Sequence, residues 1–214
     1  MNKDIIIFQS DGGKIKVNVD VYEIENKYYR ELSINYYIKD GDIGNFSDGL
    51  SRFISEKNNR YGFIDKTGKI AIKPKYYNAD NFSEGLAYVE KEYMAGGNNC
   101  CFIDTTGKIV IESQFKAGKF TEGLAPAYNG RAWGYMDKSG KMVIEPKYST
   151  AYNFSEGLAF VEETINDIPL LKVIDKNGTV VFELNKYRVI KTIATFKNGV
   201  AEIFNENRSQ KCLV

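Results

Sequence analysis

One short phrase recurs along the chain and constrains its fold more than any other feature. The phrase reads FSDGL from Phe46, FSEGL from Phe82, FTEGL from Phe120, FSEGL from Phe154 and, in a weaker form, FKNGV from Phe196. These phenylalanines are 36, 38, 34 and 42 residues apart. Periods of this length are typical of repeat architectures, in which one supersecondary unit is used several times. The 214-residue chain is therefore predicted to be a tandem array.

A second phrase lies between the copies of the first and keeps the same register four times. It places two apolar runs on either side of an Asp-x-x-Gly tetrapeptide and reads YGFIDKTGKIAI from Tyr61, CCFIDTTGKIVI from Cys100, WGYMDKSGKMVI from Trp133 and LKVIDKNGTVVF from Leu171. Aspartate can accept hydrogen bonds from the backbone amides of such a turn, and glycine suits its last position. The pattern predicts a repeated β-hairpin.

The FSEGL phrase predicts a tight turn that begins another strand. Its glycine, at Gly85, Gly123 and Gly157, is expected to have a positive φ, which other residues adopt only at a cost. The following strand places a column of alanines on one face, at positions 87, 125, 159 and 201. The strands before and after the Asp-x-x-Gly turns are apolar at successive positions, as in Phe102 and Ile103 or in Ile109 to Ile111, which predicts that neighbouring units cover both of their faces.

The composition excludes several classes of function. The chain has no histidine, which removes histidine-based hydrolase triads and the commonest metal ligand. Lys+Arg number 29 against 28 Asp+Glu, so no net charge draws the whole chain to nucleic acid or to an anionic membrane. We expect no enzyme, no cofactor, no metal site and neither a nucleic-acid nor a membrane partner.

The two ends of the chain follow the same template in part. Residues 1–45 are predicted to form an atypical β cap, in which strands around residues 17–21 and 32–38 pair through the bend at 25–30. Residues 46–195 are predicted to hold four repeats. Residues 196–214 are predicted to hold a half-repeat, in which Lys211 to Val214 correspond to the YGFI of residues 61–64. No signal-peptide core and no membrane span is evident, and three cysteines, an odd number, fit no disulfide framework. We expect a cytoplasmic protein.

The combined phrases resemble those of the bacterial WG-repeat family, also called KWG repeats. The likeness covers about residues 46–204, and the unit from Trp133 to Phe154 matches best, whereas Tyr61, Cys100 and Leu171 replace the tryptophan elsewhere. The resemblance implies an all-β protein of antiparallel β-meander repeats with no catalytic residues and no cofactor. We expect the repeats to stack as an open, curved array, and a closed five-bladed, propeller-like ring is the alternative.

Three groups of residues have both a structural and a functional interpretation. Cys100 and Cys101 suggest a redox pair, but they stand where other units have Trp and Gly, which favours a structural role. The repeated carboxylates suggest glycosidase or calcium chemistry, but their place beside turn glycines favours turn stabilisation. Most aromatic residues recur at core positions; those that break the register are freer to bind, namely Tyr29, Tyr77, Tyr93 and Tyr128.

The segments that join the first strand to the second differ most between units, at residues 55–60, 91–99, 128–131 and 162–169. Variable loops on an invariant scaffold are typical of recognition edges, although tolerated drift would look the same. We expect four loop residues to lie along one rim and to bind a partner there, namely Arg60, Tyr93, Met94 and Arg131. The expected partner is another protein. The function predicted is an immunity or accessory protein of a toxin or phage-related system; a carbohydrate or cell-envelope ligand binder is the alternative.

Overall fold

The computed structural model describes the side chains of residues 44–55, 58–91, 99–166, 168–184 and 195–201. It describes the backbone alone of residues 3–10, 13–24, 27–32, 36–39, 202–204 and 209–213. The chain divides into two compact units, Met1–Ser113 and Gln114–Val214. All regular structure in these ranges is β-strand, apart from single turns, and every pair of neighbouring strands is antiparallel. The predicted all-β fold of antiparallel meanders is confirmed.

The first unit contains three meander sheets. The first sheet comprises β1 (Lys3–Ser10), β2 (Gly13–Ile24), β3 (Lys27–Leu32) and β4 (Tyr36–Lys39). The second comprises β5 (Leu50–Ser55), β6 (Arg60–Asp65) and β7 (Ile70–Tyr76), and the third β8 (Asn78–Ala79), β9 (Leu86–Glu90), β10 (Cys100–Asp104) and β11 (Ile109–Ser113).

The second unit repeats the plan. Its first sheet comprises β12 (Lys116–Ala117), β13 (Leu124–Tyr128), β14 (Trp133–Asp137) and β15 (Met142–Tyr148). The next comprises β16 (Thr150–Ala151), β17 (Leu158–Ile165), β18 (Ile168–Asp175) and β19 (Val180–Leu184), and the last described pair is β20 (Val200–Phe204) with β21 (Ser209–Leu213).

The amino-terminal sheet has more strands than the sequence indicated. β2 pairs with β3 from Asp20–Glu31 to Ile24–Lys27, so part of the bend predicted at residues 25–30 belongs to a strand. The predicted second strand at residues 32–38 divides between β3 and β4, which pair with each other from Leu32–Tyr36 to Tyr29–Lys39. A two-residue strand also precedes each of the three turns that read FSEGL or FTEGL; these strands are β8, β12 and β16. They were not predicted, because two residues are too few to show a periodic pattern.

The core lies between neighbouring sheets of each unit. Phe63, Tyr76 and Phe82 pack with Val89 and Ile103 in the first unit, and an equivalent cluster around Tyr135, Tyr148 and Phe154 occupies the second. The predicted alanine column is fully buried at Ala87, Ala125 and Ala159. Small side chains there allow the strands of adjacent sheets to approach closely.

The strands after the Asp-x-x-Gly turns correct one expectation. In the strand before the turn both faces are covered, since Phe102 and Ile103 are fully buried. Of the strands after the turn, β7, β11 and β15 are covered on one face only, and β19 is exposed over most of its length. Each contains a β-bulge: in β11, Phe102 pairs with Ile111 and Ile103 with Ile109, which leaves Val110 unpaired. Val110, Val143 and Val181 hold this position, and their exposed fractions lie between 43% and 46%. The apolar runs reflected this bulge, and not burial on two sides.

A second irregularity divides the repeats into two kinds. In β7 and β15 three residues, Lys-Pro-Lys at 73–75 and Glu-Pro-Lys at 145–147, lie opposite a single glycine, Gly62 or Gly134. A Cβ added to Gly134 would lie 2.3 Å from the Ile144 carbonyl oxygen and 2.8 Å from the Pro146 nitrogen. Where Cys101 or Lys172 replaces this glycine, the opposing strand has no proline and pairs without the shift.

The carboxyl-terminal pair corrects the alignment of the last half-repeat. Ala201 lies opposite Cys212, just as Ala87 lies opposite Ile103 in the complete unit. Cys212 therefore stands at the position of that isoleucine, and Gln210, opposite Ile203, takes the position of the glycine. Lys211 to Val214 do not occupy the place of YGFI.

Candidate functional site

Each repeated sheet has two chemically different ends, and the candidate site is found by comparing them. We call the end that carries the FSEGL and Asp-x-x-Gly turns the turn end, since Leu86 at the first turn pairs with Asp104 at the second. The opposite end, where the first long strand connects to the second and the third strand finishes, is called the loop end.

The FSEGL turn is a two-residue hairpin with an uncommon residue in it. Ser83 and Leu86 exchange two backbone hydrogen bonds of 2.8 and 3.1 Å. The two residues between them both have positive φ, 54° at Glu84 and 82° at Gly85. The positive φ predicted for Gly85, Gly123 and Gly157 is confirmed. A glutamate in this region costs roughly 1 kcal/mol, because its Cβ crowds the backbone, so its recurrence needs a reason.

The reason is a hydrogen bond to the next repeat. Asp48 Oδ2 accepts the amide of Gly85 at 2.8 Å, and Glu122 Oε2 accepts the amide of Gly157 at 2.9 Å. Glu156 accepts two amides, from Asn198 at 2.6 Å and from Gly199 at 2.7 Å. The acidic residue of one turn thus holds the turn that follows it, about one repeat along the chain. This link was not predicted, because in the sequence each carboxylate stands beside the glycine of its own turn.

The aspartates of the Asp-x-x-Gly turns act locally, as predicted. Asp65 Oδ1 accepts the amides of Thr67 and Lys69 at 2.8 and 3.0 Å and the Thr67 hydroxyl at 2.6 Å. Burial by itself would raise the pKa of this carboxyl, but the hydrogen bonds outweigh it and lower the pKa. The pKa values of the equivalent Asp104, Asp137 and Asp175 are lowered as well.

Little binding capacity is left among the carboxylates of the turn end. Glu122 also accepts a hydrogen bond from Lys176 and forms an ion pair with it at 3.1 Å. Within the described ranges no three Cys, Asp or Glu side chains come together as a metal site would require. The turn end is therefore built to join repeats.

The two adjacent cysteines have structural surroundings. Tyr88 donates a hydrogen bond to Cys100 Sγ at 2.9 Å, whereas Cys101 is fully buried in the core with Tyr76. The side chains of the two cysteines lie on opposite faces of β10. Burial raises the pKa of the Cys101 thiol, so it is held as the unreactive neutral form.

The loop end of the first unit carries cations stacked on tyrosines. The guanidinium of Arg60 lies 5.7 Å from the centre of the Tyr77 ring, and that of Arg52 lies 5.6 Å from the Tyr61 ring. The exposed Lys75 ammonium lies 5.1 Å from the Tyr76 ring. Because Tyr76 pairs with Tyr61, the third strand finishes at the same end as the variable loop. Lys75 and Tyr77 thus belong with Arg60.

The loop end of the second unit carries a related group. Tyr128 and Trp133 face each other across β13 and β14, with ring centres 5.2 Å apart and planes tilted by 40°. The turn between them is closed by Asn129, whose Oδ1 accepts the amides of Arg131 and Ala132 at 2.9 Å. This turn leaves the Arg131 side chain exposed beside two half-buried rings.

The four predicted binding residues are only partly placed. Arg60 and Arg131 lie at the loop ends of their sheets, one in each unit. Tyr93 and Met94 lie outside the described residues. The alignment of all four along one rim stays a prediction, as does the choice between an open array and a closed ring.

A comparison with protein-family models identifies the repeats. The model of the WG containing repeat matches three segments, residues 61–93, 102–130 and 133–164. This part of the chain therefore consists of WG repeats. The glycine of the WG dipeptide is Gly134 in the third repeat and Gly62 in the first, so the name-giving glycine is the one over which the proline bulge closes.

Solved structures show the fold that this WG-repeat chain shares. The structure of Hsv2p from Kluyveromyces lactis is 10% identical with a TM-score of 0.54, covering 90% of this chain and 70% of that one. A KlHsv2 variant with loop 6CD replaced by a Gly-Ser linker is 10% identical with a TM-score of 0.52, covering 96% and 75%. These structures are β-propeller-like, and at this identity the likeness concerns the fold alone. No curated protein matches the chain.

Among the described residues there is no helix with the length and apolarity to cross a membrane.

Proposed function

We propose that this WG-repeat protein is a non-catalytic protein-interaction module that binds its partner through the loop ends of its sheets. The observation that carries the proposal is the contrast between the two ends. The turn-end carboxylates bind backbone amides of the protein itself, whereas the loop ends present Arg60 and Arg131 beside half-exposed aromatic rings and the exposed Lys147 over the buried ring of Tyr148. Repeated β-architectures of this kind are typical of binding folds.

The chemistry of the loop ends suits a protein surface. Arginine, tyrosine and tryptophan are the residue types most enriched at binding hot spots. Stacking on Tyr77 restricts the Arg60 side chain before any partner arrives, which reduces the entropy lost on binding. The chain carries no net charge that would favour nucleic acid or an anionic membrane, so another protein is the proposed partner.

We also propose a narrower role, as an immunity or accessory protein of a bacterial toxin or phage-related system, in the cytoplasm. The family likeness supports this assignment. A toxin encoded beside the gene and neutralised on co-expression would establish the role, and cell fractionation would test the compartment. Co-expression that leaves the neighbouring toxin fully active would remove the immunity role.

The binding surface is tested by paired variants. A partner captured by the wild type is identified by mass spectrometry and purified, and its Kd is measured by calorimetry. Arg60→Ala with Arg131→Ala should weaken binding about tenfold, the loss of about 1.4 kcal/mol expected of interface anchors. The control pair, Lys66→Ala with Lys108→Ala, removes two exposed cations of the turn end and should leave the Kd unchanged.

The opposite result would relocate the surface. If the turn-end pair weakens binding and the loop-end pair does not, the proposed orientation is wrong. Tyr93→Ala with Met94→Ala extends the test to the predicted residues of the second loop. Thermal midpoints close to that of the wild type in all these variants would show that the fold is intact.

The tilted pair of Tyr128 and Trp133 favours a second candidate, a carbohydrate or cell-envelope ligand binder. Half-exposed aromatic rings are the surfaces on which sugars stack. Trp133 is the only tryptophan, so its fluorescence reports on this site alone. A saturable change in emission on titration with cell-wall oligosaccharides, abolished by Tyr128→Ala, would support this candidate; an unchanged spectrum would exclude these ligands.

A further inference from the structure

One hairpin of the second unit is longer than its counterparts. β17 and β18 pair at eight positions, from Leu158 with Asp175 to Ile165 with Ile168. The equivalent β13 and β14 pair at five, from Leu124 with Asp137 to Tyr128 with Trp133. Three further pairs extend the ladder by about 10 Å at 3.4 Å per residue. The sequence predicted a variable loop over residues 162–169, whereas the structure pairs the two strands there as far as Ile165 with Ile168.

The tip of this hairpin is apolar and exposed. Ile165 and Ile168 face each other across the last pair, with exposed fractions of 43% and 60%. Partners directly opposite on an antiparallel ladder project from the same face, so the two side chains form one apolar knob. Ile168 is the most exposed of the large hydrophobic side chains identified as exposed in the described ranges.

The stalk of the hairpin is held on the same face. Lys172 Nζ lies 2.7 Å from Glu163 Oε2 and 3.3 Å from Glu183 Oε1, and the lysine is almost completely buried. These three residues come from β17, β18 and β19, so the ion pairs join the long strands to the edge strand. Pro169 in the tip also fixes one backbone torsion. The knob is therefore presented by a restrained arm, which lowers the entropic cost of docking.

The charge around the knob indicates what it meets. The whole hairpin, residues 158–175, contains four acidic residues and one cation, Lys172, so it remains acidic after the ion pair with Glu163 is counted. An acidic surrounding is repelled by anionic lipid headgroups and attracted by a cationic rim. A protein pocket with an apolar floor and a basic rim matches both features of the hairpin.

We propose that the β17–β18 hairpin is a docking arm that inserts Ile165 and Ile168 into an apolar, basic-rimmed pocket of a partner protein. This inference rests on the proposed function as a protein-interaction module and adds a surface that does not include Arg60 or Arg131. The proposed contact is made by the hairpin with the most paired residues in the second unit.

The test uses the full chain and a partner that the wild type captures, identified and purified as above. Ile165→Thr with Ile168→Thr keeps the β-branched shape that suits a strand and removes the apolar surface. Binding should weaken about tenfold or more, and raising NaCl from 50 to 500 mM should weaken wild-type binding several-fold. The matched control, Val110→Thr with Val143→Thr, alters two valines of similar exposure on other strands and should leave the Kd unchanged.

Other outcomes overturn the inference. If the isoleucine variant binds as the wild type does while the Arg60 and Arg131 variant fails, the docking arm is wrong and the proposed function stands. If the wild type captures no partner, both are wrong. Light scattering that shows a dimer lost only in the isoleucine variant would make a second copy of the chain the occupant. Isoleucine-dependent sedimentation with phosphatidylglycerol vesicles would make it a membrane.

Discussion

The sheets of this WG-repeat protein are of two kinds, and the difference shows what the name-giving glycine does. Gly62 and Gly134 are not among the glycines with positive φ, so backbone freedom does not explain them. They are required because a proline-containing bulge of the third strand closes over them. Where Cys101 or Lys172 stands instead, the third strand places a single residue, Glu112 or Glu183, opposite it, and the side chain occupies the space.

The comparison also explains how one fold accommodates a buried lysine. Without the bulge, Lys172 lies directly opposite Glu183, which supplies one of its two counter-charges. Hydrogen bonding to Glu163 raises the pKa of Lys172 despite its burial. The kind of third strand thus decides whether this position is a glycine or carries a side chain.

The largest loss of stability is expected when a side chain is introduced at the WG glycine. Gly134→Ala would place a Cβ 2.3 Å from the Ile144 carbonyl oxygen, and separating them should cost about 3 kcal/mol of unfolding free energy, measured in urea. The control, Gly123→Ala, meets no atom within 4 Å and should cost only about 1 kcal/mol from its positive φ. Equal losses would show that close approach is not the constraint.

The reverse exchange should have a smaller effect. Cys101→Gly introduces the WG glycine into a sheet that lacks the proline bulge, so a buried side chain is lost and nothing closes over the gap. We expect a loss of about 2 kcal/mol, from the cavity and from added backbone freedom. Cys101→Ala, which keeps the Cβ, should lose less. A stabilised Cys101→Gly variant would contradict the proposed coupling between glycine and proline.

The link between repeats is weaker and equally testable. Glu122→Gln keeps the backbone and side-chain length but removes the charge that Gly157 and Lys176 bind. The partly exposed site reduces the effect, so a loss of about 1 kcal/mol is expected by chemical denaturation. Glu145→Gln, at an exposed strand position, is the control and should change nothing. Matching losses in both variants would remove the carboxylate link from the explanation of the turn.

The smallest effect should be that of pH near neutrality. The folded pKa values of Asp65, Asp137 and Glu122 are lowered, so their stabilisation is complete above about pH 5 and is lost as pH falls through those values. Burial raises the pKa of Cys101 from 9.0 and that of Tyr76 to about 12, so stability falls as pH rises above 9. With no histidine, we expect a plateau between pH 6 and 8.

Denaturation midpoints measured across the pH range check this profile. Cys101→Ala should delay the alkaline decline, because the thiol that titrates first is removed. A slope within the plateau would reveal a strongly shifted carboxyl group, and with it a candidate catalytic site.

The sequence by itself determined the features that depend on neighbouring residues. The period, the two turns, the positive φ of Gly85, the capping by Asp65 and the buried alanine column all follow from local backbone geometry and strand alternation. Each copy of a phrase imposes the same local backbone requirement, so several copies support each prediction. Arg60 and Arg131 were likewise placed at loop positions from spacing alone, although their role stays a prediction.

Only the tertiary structure decided which groups meet across repeats and which remain in solvent. The contact of Glu122 with Gly157 spans 35 residues, and no local pattern distinguishes it from capping within one turn. The sequence predicts Val143 to be a core residue, but the bulge directs its side chain outward. The sequence predicts a loop over residues 162–169, but the structure shows strand pairing there. Such features depend on the register and spacing of whole sheets, which a run of sequence does not specify.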